Sequence, residues 1–393
     1  IINLLSIKGD LIDDFKNTFF ILLIVALIRP ACVSLSSIIN AKQHIAFLHI
    51  KNTTVSLLSI CVNIIFLKLG YGISSFAIGL LFESLLTPLI DFIYIKIIDK
   101  RVFFYPPKTK RKDILSLLQF GGPYQALKIA NLVSTSTDNI IIAAILGATS
   151  VTVYVFTGKL AFLLAVFLVS VIPSVLFPGF SQLFEQKDNI KLKNLYFKLT
   201  DLAIRLGIFS GIVYFYINEN FINLWVGSEN YGGETLTAIF IIWIIFESFV
   251  RGLTSIIYAS SDLSGLTSVS FFEAFSNILL TLILIKSLGL IGVVLGTVLS
   301  RVVTVLYIPY KINNILKVDN TIYFIKLSIT AFKYAFPMLF VGFIIDNQVN
   351  NVTHPIIEIF LFCFSITFIN ILFNEGLFIF KQKGVPLKER FKL

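Results

Sequence analysis

The sequence predicts an all-α polytopic membrane protein, and three observations predict it. Of 393 residues, 56% are hydrophobic and 14% charged, and the mean hydropathy is +0.89. The apolar residues fall into runs of about twenty, the length that carries a helix across roughly 30 Å of hydrocarbon. Basic residues concentrate in alternate links only. Helices suit such runs because they satisfy their own backbone polar groups where no water is present.

Eleven spans are expected: 18–39, 52–69, 74–95, 119–145, 151–178, 199–217, 236–258, 268–286, 289–309, 327–345 and 356–380. The first carries Arg29-Pro30 and the fifth Ile172-Pro173. Proline removes a helical hydrogen bond and crowds the preceding turn, so both are expected to be kinked. Gly70 and Gly72 lie in the link before the third and Gly289 opens the ninth, and polar residues recur through the fourth, seventh, eighth and ninth. Lys and Arg in 40–51, 96–113, 181–198, 310–333 and 381–393 total 22, against four in the opposite links (Lys8, Lys16, Lys68 and Lys286). Short cytoplasmic loops hold the basic excess. This places link 96–113 and the C-terminus in the cytoplasm and residues 1–17 outside. The net charge of +10 is thus a topology signal, and nucleic acid is not an expected partner. Asp201 and Arg205, close to the cytoplasmic end of their span, are expected to snorkel toward the interface.

Cys32, Cys61 and Cys363 lie inside spans without paired spacing, which argues against disulfides or a metal site. His44, His49 and His354 sit at span ends or in links. No phosphate loop occurs, and Gly158-Lys159 lacks both its spacing and the following hydroxyl. No cofactor is expected.

Two stretches read as copies of one unit. Lys68 to Gly79 aligns with Ile285 to Gly296 at an offset of 217, pairing Gly72, Ser75 and Gly79 with Gly289, Gly292 and Gly296. Glycine permits a sharp reversal, and small residues four apart let helices approach closely. A second unit starting near Gln119 puts the start of the first about a hundred residues before residue 1. The expectation is two pseudo-symmetric bundles, the first N-terminally truncated by three spans, followed by a C-terminal helix pair. The domains are then 1–113, the truncated bundle with its cytoplasmic link; 114–315, a six-helix bundle; and 316–393, the helix pair and basic tail. Repeats of this kind occur in secondary transporters, with substrate bound where the halves meet.

From Phe120 onward local stretches occur in a telling order: Phe120-Gly121-Gly122-Pro123, Thr137-Asp138-Asn139, Leu146-Gly147-Ala148, Leu176-Phe177-Pro178-Gly179 and Leu224-Trp225-Val226-Gly227, with Leu69-Gly70-Tyr71-Gly72 before them. In these the chain resembles the polysaccharide flippases of the O-antigen type, in the multidrug/oligosaccharidyl-lipid/polysaccharide exporter superfamily. The resemblance implies a MATE-like pair of bundles and no ATP hydrolysis. It also implies movement of an undecaprenyl-diphosphate-linked oligosaccharide, an O-antigen or capsule repeat unit of lipopolysaccharide biosynthesis, from the cytoplasmic to the periplasmic leaflet. Membrane lipid, a driving H+ or Na+, a polysaccharide polymerase and a chain-length regulator would be its partners.

Charges inside a membrane are costly and usually face a bundle interior. Tyr124, Lys128, Asn131, Thr135 and Asp138 recur at intervals of 4, 3, 4 and 3, along one helical stripe. Trp243, Glu247, Arg251, Thr254 and Tyr258 form a second stripe, and Ser270, Glu273, Asn277 and Thr281 a third. Thr297, Arg301 and Thr304 form a fourth. Four such stripes imply a hydrated cavity. With the resemblance, Arg29, Lys128, Lys159, Arg251 and Arg301 become candidates to hold the diphosphate and sugar hydroxyls, aided by Asn131, Thr135 and Asn277. Glu247 and Arg251, four apart, can instead pair on their own helix, whereas Lys128 and Arg301 have no local acid. Asp138 is the first candidate for ion coupling, followed by Glu247, Glu273 and Glu83, because a buried carboxylate can carry a proton or bind Na+.

A multidrug antiporter and a lipid II flippase are rival readings within the superfamily. A membrane polymerase, ligase or acyltransferase is the rival from another class. It is disfavoured because the link 218–235 holds no histidine and no catalytic set.

Overall fold

The computed structural model describes residues 11–42, 44–98, 111–165, 179–260, 262–263 and 265–349. No strand occurs among them, and the chain groups into two compact units, Ile1–Ile114 and Leu115–Leu393.

The first unit contains α1 (Leu11–Ala41), α2 (Ile45–Lys68) and α3 (Ser74–Ile98). All three are long and apolar enough to cross a membrane. Their apolar side chains mostly point outward, Leu27 being 80% exposed, which is the surface lipid requires. Lipid gives no hydrophobic drive for helices to associate, so close packing and interhelical hydrogen bonds must do it. Both α1 and α2 pack on α3. Thr18 Oγ1 and Ser74 Oγ are 2.9 Å apart, Cys32 Sγ donates to the Ser84 carbonyl at 3.3 Å, and Ser59 Oγ to the Gly79 carbonyl at 2.7 Å.

The second unit contains α4 (Arg111–Ile145), α5 (Ala148–Leu163), α6 (Asn189–Trp225), α7 (Glu234–Ala259), α8 (Leu266–Leu288), α9 (Leu290–Leu316) and α10 (Asn320–Val349). Asp188 starts α6 by accepting the Lys191 N–H at 3.1 Å, a side-chain cap for an unpaired first-turn donor. Half or more of the most apolar stretch of α6, α7 and α9 is buried, so these three form the centre, while α8 is largely exposed. Gly207 and Gly211, four apart, let α6 lie against α7. A Cβ on Gly207 would come within 3.2 Å of the Ile245 Cα, and one on Gly211 within 2.7 Å of an Ile241 methyl. At the other edge α10 docks on α6: the Tyr196 and Tyr323 rings stack at 5.1 Å, and Tyr334 donates to Asp201 at 3.1 Å.

The glycine repeat has the same physical basis in both units. Gly72, before α3, and Gly289, between α8 and α9, take φ of +49° and +58°, values that favour glycine. Seven residues later Gly79 and Gly296 sit against the preceding helix. Added Cβ atoms would approach the Ser59 carbonyl oxygen at 3.1 Å and the Thr281 N at 2.9 Å.

Among the described residues seven helices (α1, α2, α3, α6, α7, α8 and α9) are long and apolar enough to span a membrane, against eleven spans expected over the whole chain. The expected span 119–145 falls within α4, whose apolar run is interrupted by polar side chains, and 327–345 falls within α10, whose side chains from residue 337 on lie outside the described residues. Only the first part of 151–178 is described, as the shorter α5. Pro173 and the span 356–380 lie outside the described residues, whereas Pro30 falls inside α1.

Candidate functional site

The polar stripes of α7, α8 and α9 meet inside the second unit. Helices α8 and α9 run antiparallel from the Gly289 turn, and their polar residues pair as successive rungs. Asn277 Nδ2 donates to Thr297 Oγ1 at 3.0 Å, and Arg301 Nη1 to Glu273 Oε1 at 2.5 Å. Paired residue numbers keep a constant total along the hairpin, as they must when two helices advance at equal rise. Four residues of helix, about 6 Å, separate one polar rung from the next.

The inner rung is a four-charge cluster. Glu247 Oε1 accepts from Arg251 Nε at 2.5 Å, the expected pair along α7. The second Glu247 oxygen accepts from Arg301 Nη2, and the second Glu273 oxygen accepts from the Thr304 hydroxyl. Both glutamate side chains are 5% exposed and that of Arg301 is 11% exposed, whereas Arg251 is 35% exposed. Arg301, with no acid nearby on its own helix, is nonetheless ion-paired. Its partners come from two other helices, which spacing along one helix cannot reveal. Two glutamates and two arginines cancel, so this cluster is neutral.

The outer rung is built around Asp138. Its Oδ2 accepts from Thr297 Oγ1 at 3.0 Å and from the Tyr154 hydroxyl at 3.4 Å. Its Oδ1 is buried without a hydrogen-bond partner, as are Asn277 Oδ1 and Thr281 Oγ1. Asp138, Tyr154 and Thr297 line a cavity of about 330 Å³ together with Lys159, Phe162 and Trp243. Lys159 is exposed and makes no ion pair among the described residues.

The α4 stripe does not join this seam as a whole. Lys128 and Asn131 are exposed, and the Asn131 amide turns back to the Leu127 carbonyl at 3.0 Å. The side chain of Thr135 lies outside the described residues. Among the described residues of the stripe, Asp138, near the end of α4, is the one that reaches α9. Of the described residues of that face, Lys128 and Asn131 are not packed against the second unit's interior. Arg205 is likewise buried, at 7% exposure, beside the Tyr334 ring at 5.9 Å, and does not snorkel.

In the first unit Arg29 and Glu83 line one cavity with Ser36, Asn52 and Ser84. Below it is an ion pair the sequence reading missed. Lys51 Nζ lies 2.6 Å from Asp91 Oδ1, with the side chains 2% and 0% exposed, and Ser36 Oγ donates to Asp91 Oδ2 at 2.5 Å. Lys51 falls in the expected link 40–51 but stands inside α2. Asp91 continues the four-residue spacing of Glu83 and Thr87 along α3, the signal that marks it as inward-facing. Among the described residues no cluster of three or more metal-ligating side chains occurs.

Comparison with known proteins adds two findings. No curated protein matches the chain at a significant level. Among solved structures, it is similar to the lipid II flippase MurJ in its inward closed conformation. The TM-score is 0.62 and the identity 18%, over 96% of this chain and 87% of that one. At that identity the likeness shows a shared fold: an all-α, multi-pass membrane transporter fold. A family model described as "polysaccharide biosynthesis protein" matches residues 14–232, more than half of the chain. The matched stretch includes Asp138 and Lys159 and stops before α7, so the four-charge cluster lies beyond it. The resemblance read from the residues after Phe120 is borne out: this chain belongs to the polysaccharide biosynthesis protein family.

Proposed function

We propose that the protein is a flippase that carries an undecaprenyl-diphosphate-linked oligosaccharide from the cytoplasmic to the periplasmic leaflet of a bacterial inner membrane, with its C-terminus in the cytoplasm. It acts by alternating access driven by H+ or Na+, and hands its cargo to a polysaccharide polymerase and chain-length regulator. It performs no covalent chemistry on the cargo.

The observation that carries this reading is the outer rung. A carboxylate oxygen, an amide oxygen and a hydroxyl are buried without partners around Asp138, beside an open cavity. Buried polar groups normally find partners. A set of hard oxygen atoms with one negative charge is suited to a small cation or a proton. Asn277 and Thr297 connect this position to the four-charge cluster one turn away, so occupancy at Asp138 can be felt by Arg301 and, through Glu247, by Arg251. The exposed cations Lys128 and Lys159 and the half-exposed Arg251 supply charge for a diphosphate. Arg301 holds the acids.

Restoration of surface glycan in a deletion strain tests the reading. Wild type is expected to restore it, Lys128→Ala to fail while remaining in the membrane, and Asp138→Asn to lose dependence on the ion gradient in vesicles. No restoration by wild type would overturn the reading. The similarity to the lipid II flippase MurJ favours lipid II as a second cargo. Rescue of cells depleted of their lipid II flippase would select it.

A further inference from the structure

The cavity in the first unit has a composition different from the Asp138 site. It measures about 430 Å³, within the range of small-ligand sites, and lies wholly among α1, α2 and α3. Its lining carries four hydroxyls, among them Ser84 and Thr87, and the amides of Asn40 and Asn52. Arg29 and Glu83 face the same space, and neither forms an ion pair among the described residues. Ser84 is 4% exposed, and its Oγ has no hydrogen-bond partner.

We infer that this cavity is a sugar-binding subsite for one residue of the glycan, resting on the flippase reading above. The charges cancel, Arg29 against Glu83 and Lys51 against Asp91, so the cavity does not select an anion such as diphosphate. A sugar hydroxyl both donates and accepts. Here Glu83 only accepts, Arg29 only donates, the amides and the Ser84 and Thr87 hydroxyls do either, and Ser36 and Ser37, already donating to Asp91 and the Val33 carbonyl, can still accept. Val33 and Leu48 offer apolar surface to the C–H face of a ring. A zwitterionic ethanolamine headgroup would use the two charges and leave the hydroxyls and amides idle, so the lining favours a sugar. Glu83 is thereby assigned to hydroxyl recognition in place of ion coupling.

The test compares two lipids binding to the full-length protein in nanodiscs. One is the lipid-linked oligosaccharide that accumulates when the gene is deleted, and the other is bare undecaprenyl diphosphate. Glu83→Gln and Asn52→Leu are each expected to weaken the sugar-bearing lipid about tenfold or more, the scale of a lost hydrogen bond to a charged or buried group. They should leave the bare diphosphate unchanged. Ser84→Ala should weaken only the sugar-bearing lipid, with monodispersity on gel filtration confirming the fold. Equal weakening of both lipids, or of neither, would overturn the subsite while leaving the flippase reading intact. Phosphatidylethanolamine displacing the sugar-bearing lipid from wild type but not from Glu83→Gln would overturn it in favour of a headgroup site. If neither undecaprenyl lipid binds wild type, the flippase reading fails and the subsite with it.

Discussion

Replacing Lys51 by Met tests how the first unit tolerates charge. Asp91 is fully buried and held by Lys51 at 2.6 Å and Ser36 at 2.5 Å. Removing one partner of a buried pair usually costs about 3–5 kcal/mol, because the other charge is stranded. The Ser36 hydrogen bond remains, and a bond to a charged group is worth about 1.5–3 kcal/mol. The lower end is therefore expected, about 3 kcal/mol, or roughly 150-fold in the unfolding constant at 1.36 kcal/mol per tenfold. Replacing both partners with apolar residues should cost far less, because no charge is left behind. Ser36 can then turn to a carbonyl of its own helix, as Ser37 does to Val33 at 2.8 Å. Lys51→Met with Asp91→Leu is expected within about 1 kcal/mol of wild type. Pulse proteolysis across an SDS titration in mixed micelles measures both variants. A double variant as unstable as Lys51→Met alone would refute the reasoning, since the loss would then come from shape.

Arg301→Ala leaves Glu247 and Glu273 buried with only Arg251 to offset them, so the main loss is expected in folded protein, at about 3–5 kcal/mol. Adding Glu273→Gln to Arg301→Ala should recover part of the yield on gel filtration; no recovery would argue against charge as the cause. Gly296→Leu places a side chain where even a Cβ meets Thr281 N at 2.9 Å. Overpacking of this kind costs about 1–3 kcal/mol or more. Separation of α8 from α9 should lower the melting temperature more than Gly121→Leu, where nothing lies within 4 Å.

Much of the helical order, and the glycine turn with its close-packed small residue seven positions on, was legible from residue spacing. These are local properties: hydropathy over one span, and the backbone freedom of Gly72 and Gly289. The Glu247–Arg251 pair was legible for the same reason, since four residues apart is one helical turn. Asp91 carried a readable signal, the i, i+4 stripe with Glu83 and Thr87, but its partner Lys51 lay one residue before the expected span 52–69, though inside α2, and read as a link charge.

What the sequence alone determined is the solvent and the secondary structure, because a bilayer leaves a long apolar segment little choice but helix. It also determined which residues share a helical face, from the 3.6-residue period. Tertiary structure decided which faces meet. It gave Arg301 two acids from α7 and α8, left Lys128 and Asn131 on an exposed face, and brought Asp138 to Thr297 from 159 positions away. Pairing between helices depends on how the chain returns through the membrane, and no periodicity within one helix records the face its neighbour presents.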